Sequence, residues 1–105
     1  PAQEILTSLK QIVARVHLVD PGTEIILIGA KPSPSRWAKK EAYLAFNQLL
    51  NAYCDQADQV TYLDTWKALT DSQGNPKPEL YLKDQLHLNE DGYILWNGIF
   101  KSYFN

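Results

Sequence analysis

The sequence predicts an α/β protein with a parallel sheet, and three observations predict it. Segments with apolar residues at helical spacing alternate with short continuous apolar runs. The run EIILIGA, residues 24–30, reads as a strand covered on both faces, as strands of parallel sheets are. The resulting order, helix–strand–helix–strand–helix, is part of a doubly wound sheet.

The first helix rests on Ile5, Leu6, Leu9, Ile12, Val13 and Val16, which recur at helical spacing, with Pro1 suited to a first helical position. His17 near its end reads as a surface residue beside the C-terminal dipole. Asp20, Pro21 and Gly22 make a turn. After the first strand, the prolines of KPSPSR end it, and Ser33 or Ser35 can cap a helix. That helix spans residues 37–56, with Ala42, Phe46, Leu49, Leu50 and Tyr53 as its stripe and Cys54 beside it as a small core residue. QVTYLD, residues 59–64, is a second strand, and residues 65–69 a single helical turn capped by Asp64 or Thr65. Residues 71–78, DSQGNPKP, form a loop. The last helix covers residues 90–103, with Leu95, Trp96, Ile99, Phe100 and Tyr103 on one face.

Composition bounds the function. The 105 residues suffice for one small domain, and 45% apolar against 21% charged residues makes it globular. A net charge of −2 without a basic stripe argues against nucleic acid. No apolar run approaches the roughly 18 residues of a membrane span. The single Cys54 excludes an internal disulfide and a cysteine-based metal cluster, and His17 and His87 are too far apart to suggest a zinc site, so no metal or cofactor is expected. The chain has no Met and opens inside a helix, and two strands are few beside the usual 4 to 6 or so of a sheet. The expectation is that residues 1–105 are part of a longer domain, with any targeting signal, and so the compartment, lying outside them.

The chemistry concentrates in KDQLHLNEDGYILW, residues 83–96. In open α/β sheets the site lies beyond the C-terminal ends of the strands, where three segments are expected: residues 30–36, 64–66 and the loop before the last helix. Asp84 and His87 stand in the third, at a spacing that brings i and i+3 of a turn within about 7 Å. A carboxylate on one ring nitrogen fixes the imidazole tautomer and leaves the other nitrogen to take a proton from a hydroxyl. The plain alternative is a turn followed by a cap, since Asn89 caps well, Glu90 and Asp91 suit a first helical turn, and Gly92 allows close packing. Of the serines, only Ser33 follows a strand, and its proline neighbours do not make a nucleophile elbow. Lys31 and Arg36 read as surface ion-pair partners before anion ligands, and Trp37 and Trp66 as packed aromatics before a substrate wall.

DQLHLNEDGYILW resembles the last block of the SGNH, or GDSL-type, hydrolases, in which Asp-x-x-His supplies two triad members before the C-terminal helix. PGTEIILIGAKPSPSRW, VTYLDTW and GNPKPELYLKDQLHLN resemble segments of the same enzymes in the same order. The resemblance implies a flavodoxin-like three-layer α/β/α fold, of which this chain is the C-terminal half, and ester hydrolysis through a Ser-His-Asp triad. It implies that His87 is the general base and Asp84 its orienting partner, acting on a small-molecule ester such as an acylated sugar or lipid. The family's Gly-Asp-Ser nucleophile block and its oxyanion-hole Gly and Asn have no counterpart here, so this chain alone is expected to be inactive and prone to self-association. The alternative is a non-catalytic α/β binding module with a chance Asp-x-x-His.

Overall fold

A computed structural model describes residues 1–104. Its elements are helix α1 (Ala2–Val19), strand β1 (Ile25–Ile28), a 3-10 segment (Pro34–Lys39), helix α2 (Lys40–Gln56), strand β2 (Val60–Leu63), 3-10 turns at Lys67–Leu69 and Pro78–Leu80, and helix α3 (Glu90–Phe104). They divide into two compact units.

The first unit comprises Pro1–Gly29 and Glu41–Leu63. Its sheet is parallel, with Ile25 opposite Val60 and Ile28 opposite Leu63. Val13 of α1, Cys54 of α2 and Val60 of β2 form its core, with Ile25, Leu27, Tyr53, Ala57 and Tyr62 packed against them. Pro1 stands at the N-cap of α1, one residue before the helical position expected of it. The Asp20 carboxylate accepts the Gly22 N–H at 3.1 Å, which explains the turn between α1 and β1. His17 lies in the last turn of α1 and donates from Nε2 to the Thr23 carbonyl at 2.9 Å, so it ties the helix end to that turn.

Two expectations for this unit need correction. β1 is not covered on both faces: Ile25, Ile26 and Leu27 are half-buried and Ile28 is 43% exposed. The sheet of the described residues has two strands, so β1 is paired along one edge. The buried seam of α2 is also rotated from the predicted stripe. It runs through Asn47, Leu50 and Cys54, whereas Ala42 is exposed. A polar residue in the seam hid its position, because apolar periodicity alone skips Asn47.

The second unit comprises Ala30–Lys40 and Asp64–Asn105. Its core is Leu69, Tyr81 and Leu88, with Leu80, Leu95 and Trp96 against them. Trp37 falls in the 3-10 segment rather than in the helix expected from residue 37, with prolines at 32 and 34 delaying the wider α turn. Ser33 occupies the N-cap position of that segment without a side-chain capping bond. Asp64 accepts the Trp66 N–H at 2.9 Å, and the expected helical turn is a 3-10 turn. The loop of residues 71–78 folds on Asp71, whose carboxylate accepts the N–H groups of Gln73 and Asn75 at 2.9 and 3.0 Å.

α3 starts as its sequence dictates. Asn89 Oδ1 accepts the Gly92 N–H at 2.9 Å, with Glu90 and Asp91 in the first turn. Asn89 Nδ2 donates back to the carbonyls of Glu79 and Tyr81 at 2.8 and 3.3 Å. Gly92 is required by close approach: a Cβ there would sit 2.3 Å from the Leu80 carbonyl oxygen.

Candidate active site

The segment before α3 is a closed backbone turn. Tyr81 and Leu88 form an antiparallel bridge, the Leu82 N–H donates to the His87 carbonyl at 2.8 Å, and the Asn89 N–H donates to the Leu80 carbonyl at 2.9 Å. At its tip Gln85 adopts φ +54°, a left-handed conformation that costs a residue with a side chain about 1–3 kcal/mol. Three bonds hold it there. Its N–H and Nε2 both donate to the Leu82 carbonyl, at 2.8 and 3.0 Å, and its own carbonyl accepts the Ser35 N–H at 3.0 Å.

This turn brings Asp84 and His87 together. Asp84 divides its carboxylate between two tasks. Oδ1 accepts the backbone N–H groups of Leu86 and His87 at 2.9 and 3.0 Å, and Oδ2 meets His87 Nδ1 at 2.5 Å. Because an ionised carboxylate only accepts, Nδ1 carries a proton, and in the neutral ring Nε2 is then the nitrogen with the lone pair. The His87 side chain is 66% exposed, so the ring is reached by solvent. The His87 hydrogen bond, followed by those from the Leu86 and His87 amides, lowers the Asp84 carboxyl to about 2. A depressed carboxyl stabilises the fold above its unfolded value, and that contribution is lost as pH falls through about 2.

The segment after β1 buttresses the turn. Lys31 Nζ donates to the Leu86 carbonyl at 2.6 Å, and Tyr81 Oη donates to the Pro32 carbonyl. The Lys31 hydrogen bond thus goes to a backbone carbonyl, where a surface carboxylate was expected. Its ammonium is partly desolvated, which lowers its pKa against the opposing pull of Asp84. Burial pushes the Tyr81 hydroxyl up to about 12, so it stays a donor across ordinary pH. Sequence reasoning missed Tyr81. Its available signal was the alternation in ELYLKD, which places Tyr81 opposite the Leu80 and Leu82 side chains.

The remaining candidates are placed as follows. Ser33 is only 2% exposed, which does not suit a nucleophile. Trp37 and Trp66 stack on each other with centroids 5.7 Å apart and planes 23° apart, and Lys40 Nζ lies 5.1 Å from the Trp37 centroid. Arg36 is exposed. Among the described residues no group of three or more His, Cys, Asp and Glu side chains is arranged to hold a metal, and no helix is long and apolar enough to cross a membrane.

Comparison with known proteins gives these residues a context. A solved structure from Streptococcus pneumoniae, described as a candidate platelet activating factor, superposes with a TM-score of 0.86 at 28% identity, over 100% of this chain and 52% of its own. A candidate acylhydrolase from Bacteroides fragilis NCTC 9343 superposes with a TM-score of 0.67 at 21% identity, over 88% of this chain and 47% of its own, and shows the fold alone. This chain thus spans about half the length of these two solved structures. No curated protein sequence matches it. The α/β architecture, with its parallel strand pair and three helices, is that of the SGNH hydrolases. The GDSL-like lipase/acylhydrolase family matches residues 1–95, and the chain belongs to that family.

Proposed function

We propose that these residues are the C-terminal part of a single SGNH-type domain, in a serine esterase or acylhydrolase that acts on a small-molecule ester. The observation that carries this reading is the 2.5 Å bond from His87 Nδ1 to Asp84, on an exposed His87 side chain, in a chain of an acylhydrolase family. Coverage of about half of the matched structures supports the partial-domain reading.

In this reading a serine outside the 105 residues is the nucleophile. His87 Nε2 takes its hydroxyl proton as the oxygen attacks the ester carbonyl, and Asp84 stabilises the resulting imidazolium. His87 then returns the proton to the departing alkoxide. The same nitrogen next takes a proton from water as its oxygen attacks the acyl-enzyme, and His87 returns that proton to the serine oxygen as the acid leaves. The oxyanion of each tetrahedral intermediate needs donors from outside this chain.

The test is the coding sequence upstream of Pro1 together with the activity of the isolated chain. A Gly-Asp-Ser segment after a first strand, then a Gly-x-Asn-Asp-like segment, is expected upstream. Residues 1–105 alone should not hydrolyse a short aryl ester above an imidazole blank. Turnover of the isolated chain that vanishes in His87→Ala would overturn its inactivity, and a full-length protein with no turnover at all would favour a binding module.

The isolated chain should also self-associate. β1 is paired on one edge, and Ile5, Ile12, Leu18 and Val19 on α1 are at least half exposed. Light scattering that gives a monomer of 12.0 kDa, together with a cooperative thermal melt, would contradict this.

A further inference from the structure

We infer that Lys31 is a positioning residue for the Asp84–His87 pair, acting through the single amide that joins Leu86 to His87. This inference rests on the reading of that pair as catalytic. The carbonyl of the amide accepts Lys31 Nζ at 2.6 Å, and its N–H, on His87, donates to Asp84 Oδ1 at 3.0 Å. The ammonium and the carboxylate therefore grip opposite ends of one peptide plane. A positive donor on the carbonyl polarises the amide and makes its N–H a stronger donor to Asp84. It also opposes rotation of the plane, which would break the bond to Oδ1 and loosen the carboxylate that orients the ring.

Lys31 is itself held. Its Nζ lies 5.4 Å from the centroid of the Tyr81 ring, and Tyr81 donates to the carbonyl of Pro32, the residue after Lys31. The Ser35 N–H bonds the neighbouring Gln85 carbonyl at 3.0 Å, so consecutive peptides of the turn tip are fixed from the same segment. Neither Lys31 nor Tyr81 bonds to the imidazole. Their effect passes through the backbone, which separates this role from direct contact with substrate.

The experiment compares Lys31→Met, Lys31→Gln and Lys31→Arg in the full-length protein by steady-state kinetics and by proton NMR of the His87 Nδ1–H, assigned through its loss in His87→Ala. Met and Gln should lower kcat about tenfold or more with KM held, since small misplacements of catalytic groups carry costs of this order. The Nδ1–H signal should move upfield and broaden in both, and Arg should recover part of kcat and of the signal. Wild-type kcat with an unchanged signal in Met and Gln would overturn the inference. Should Met fail to fold in a thermal melt, Gln, which is polar but shorter, decides by the same criteria. If His87→Ala leaves turnover untouched, the catalytic reading fails, and the Nδ1–H signal alone then judges Lys31: weakened, the positioning role stands; unchanged, it falls.

Discussion

The two units of the chain use their residues differently. The unit of Pro1–Gly29 and Glu41–Leu63 contains both strands and two helices of 17 and 18 residues, and its buried side chains are mostly aliphatic. The unit of Ala30–Lys40 and Asp64–Asn105 contains one α-helix, three short 3-10 segments and a series of carboxylate-bonded turns, and it holds Lys31, Tyr81, Asp84 and His87. The first is regular and chemically quiet. The second is irregular, with positive φ at Gly74 and Gln85 against Gln59 in the first, and three hydrogen bonds of its turn before α3 converge on the Asp84 carboxylate. Regular elements satisfy their own backbone, whereas an irregular turn needs bonds from its own side chains and from distant segments.

Substitutions in the two units should separate along the same line. The largest effect is expected from His87→Ala, which should cut turnover of the full-length protein by about 10²–10⁴-fold, the usual contribution of a positioned base. Asp84→Asn should cut it less, because the ring remains but loses its ionised partner. Unchanged turnover in both variants would erase the distinction between the units.

Glycines provide a second contrast. Gly92→Ala should destabilise by about 1–3 kcal/mol in a thermal or denaturant melt, because the new methyl meets the Leu80 backbone oxygen and the Leu88 Cβ, at 2.3 and 2.9 Å. Gly29→Ala should cost less, because the nearest atoms belong to the Tyr62 and Asn47 side chains and not to backbone. Equal losses would show that the turn at α3 yields as readily as a side chain does.

The smallest effect is expected at Cys54. It is buried, and burial followed by the nearby Asp55 raises its thiol pKa. It should react with a thiol reagent only under denaturing conditions, and Cys54→Ala should leave turnover unchanged. Rapid labelling of the folded protein would place the core of the first unit in doubt.

Most of the architecture was legible because apolar periodicity records local geometry. Both strands fell within their predicted runs, and α1 and α3 matched within a residue or two. The Asn89 cap was legible for the same reason, since it is fixed within three residues, whereas the approach at Gly92 is to the backbone of Leu80, well outside its own helix. The rotated seam of α2 was not, because Asn47 is buried by tertiary surroundings that its polarity does not advertise. At the site, the approach of Asp84 to His87 follows from a three-residue spacing, so sequence was enough. The Lys31 contact spans 55 positions, and nothing local to KPSPSR marks its partner as a carbonyl rather than a carboxylate.

The turn around Gln85 also sets rules for length change. Residues 84–87 are measured off three ways at once: by the Asp84 side chain, by the Leu82–His87 backbone bond and by the Ser35 bond to the tip. Inserting or deleting one residue there would put every one of these rulers out of register together, and no side-chain replacement could reset them. The loop at Asp71 carries only its own internal bonds over residues 71–75, so it can lengthen or shorten without disturbing any of the three. Homologues should therefore differ in length at the second place and hold it constant at the first.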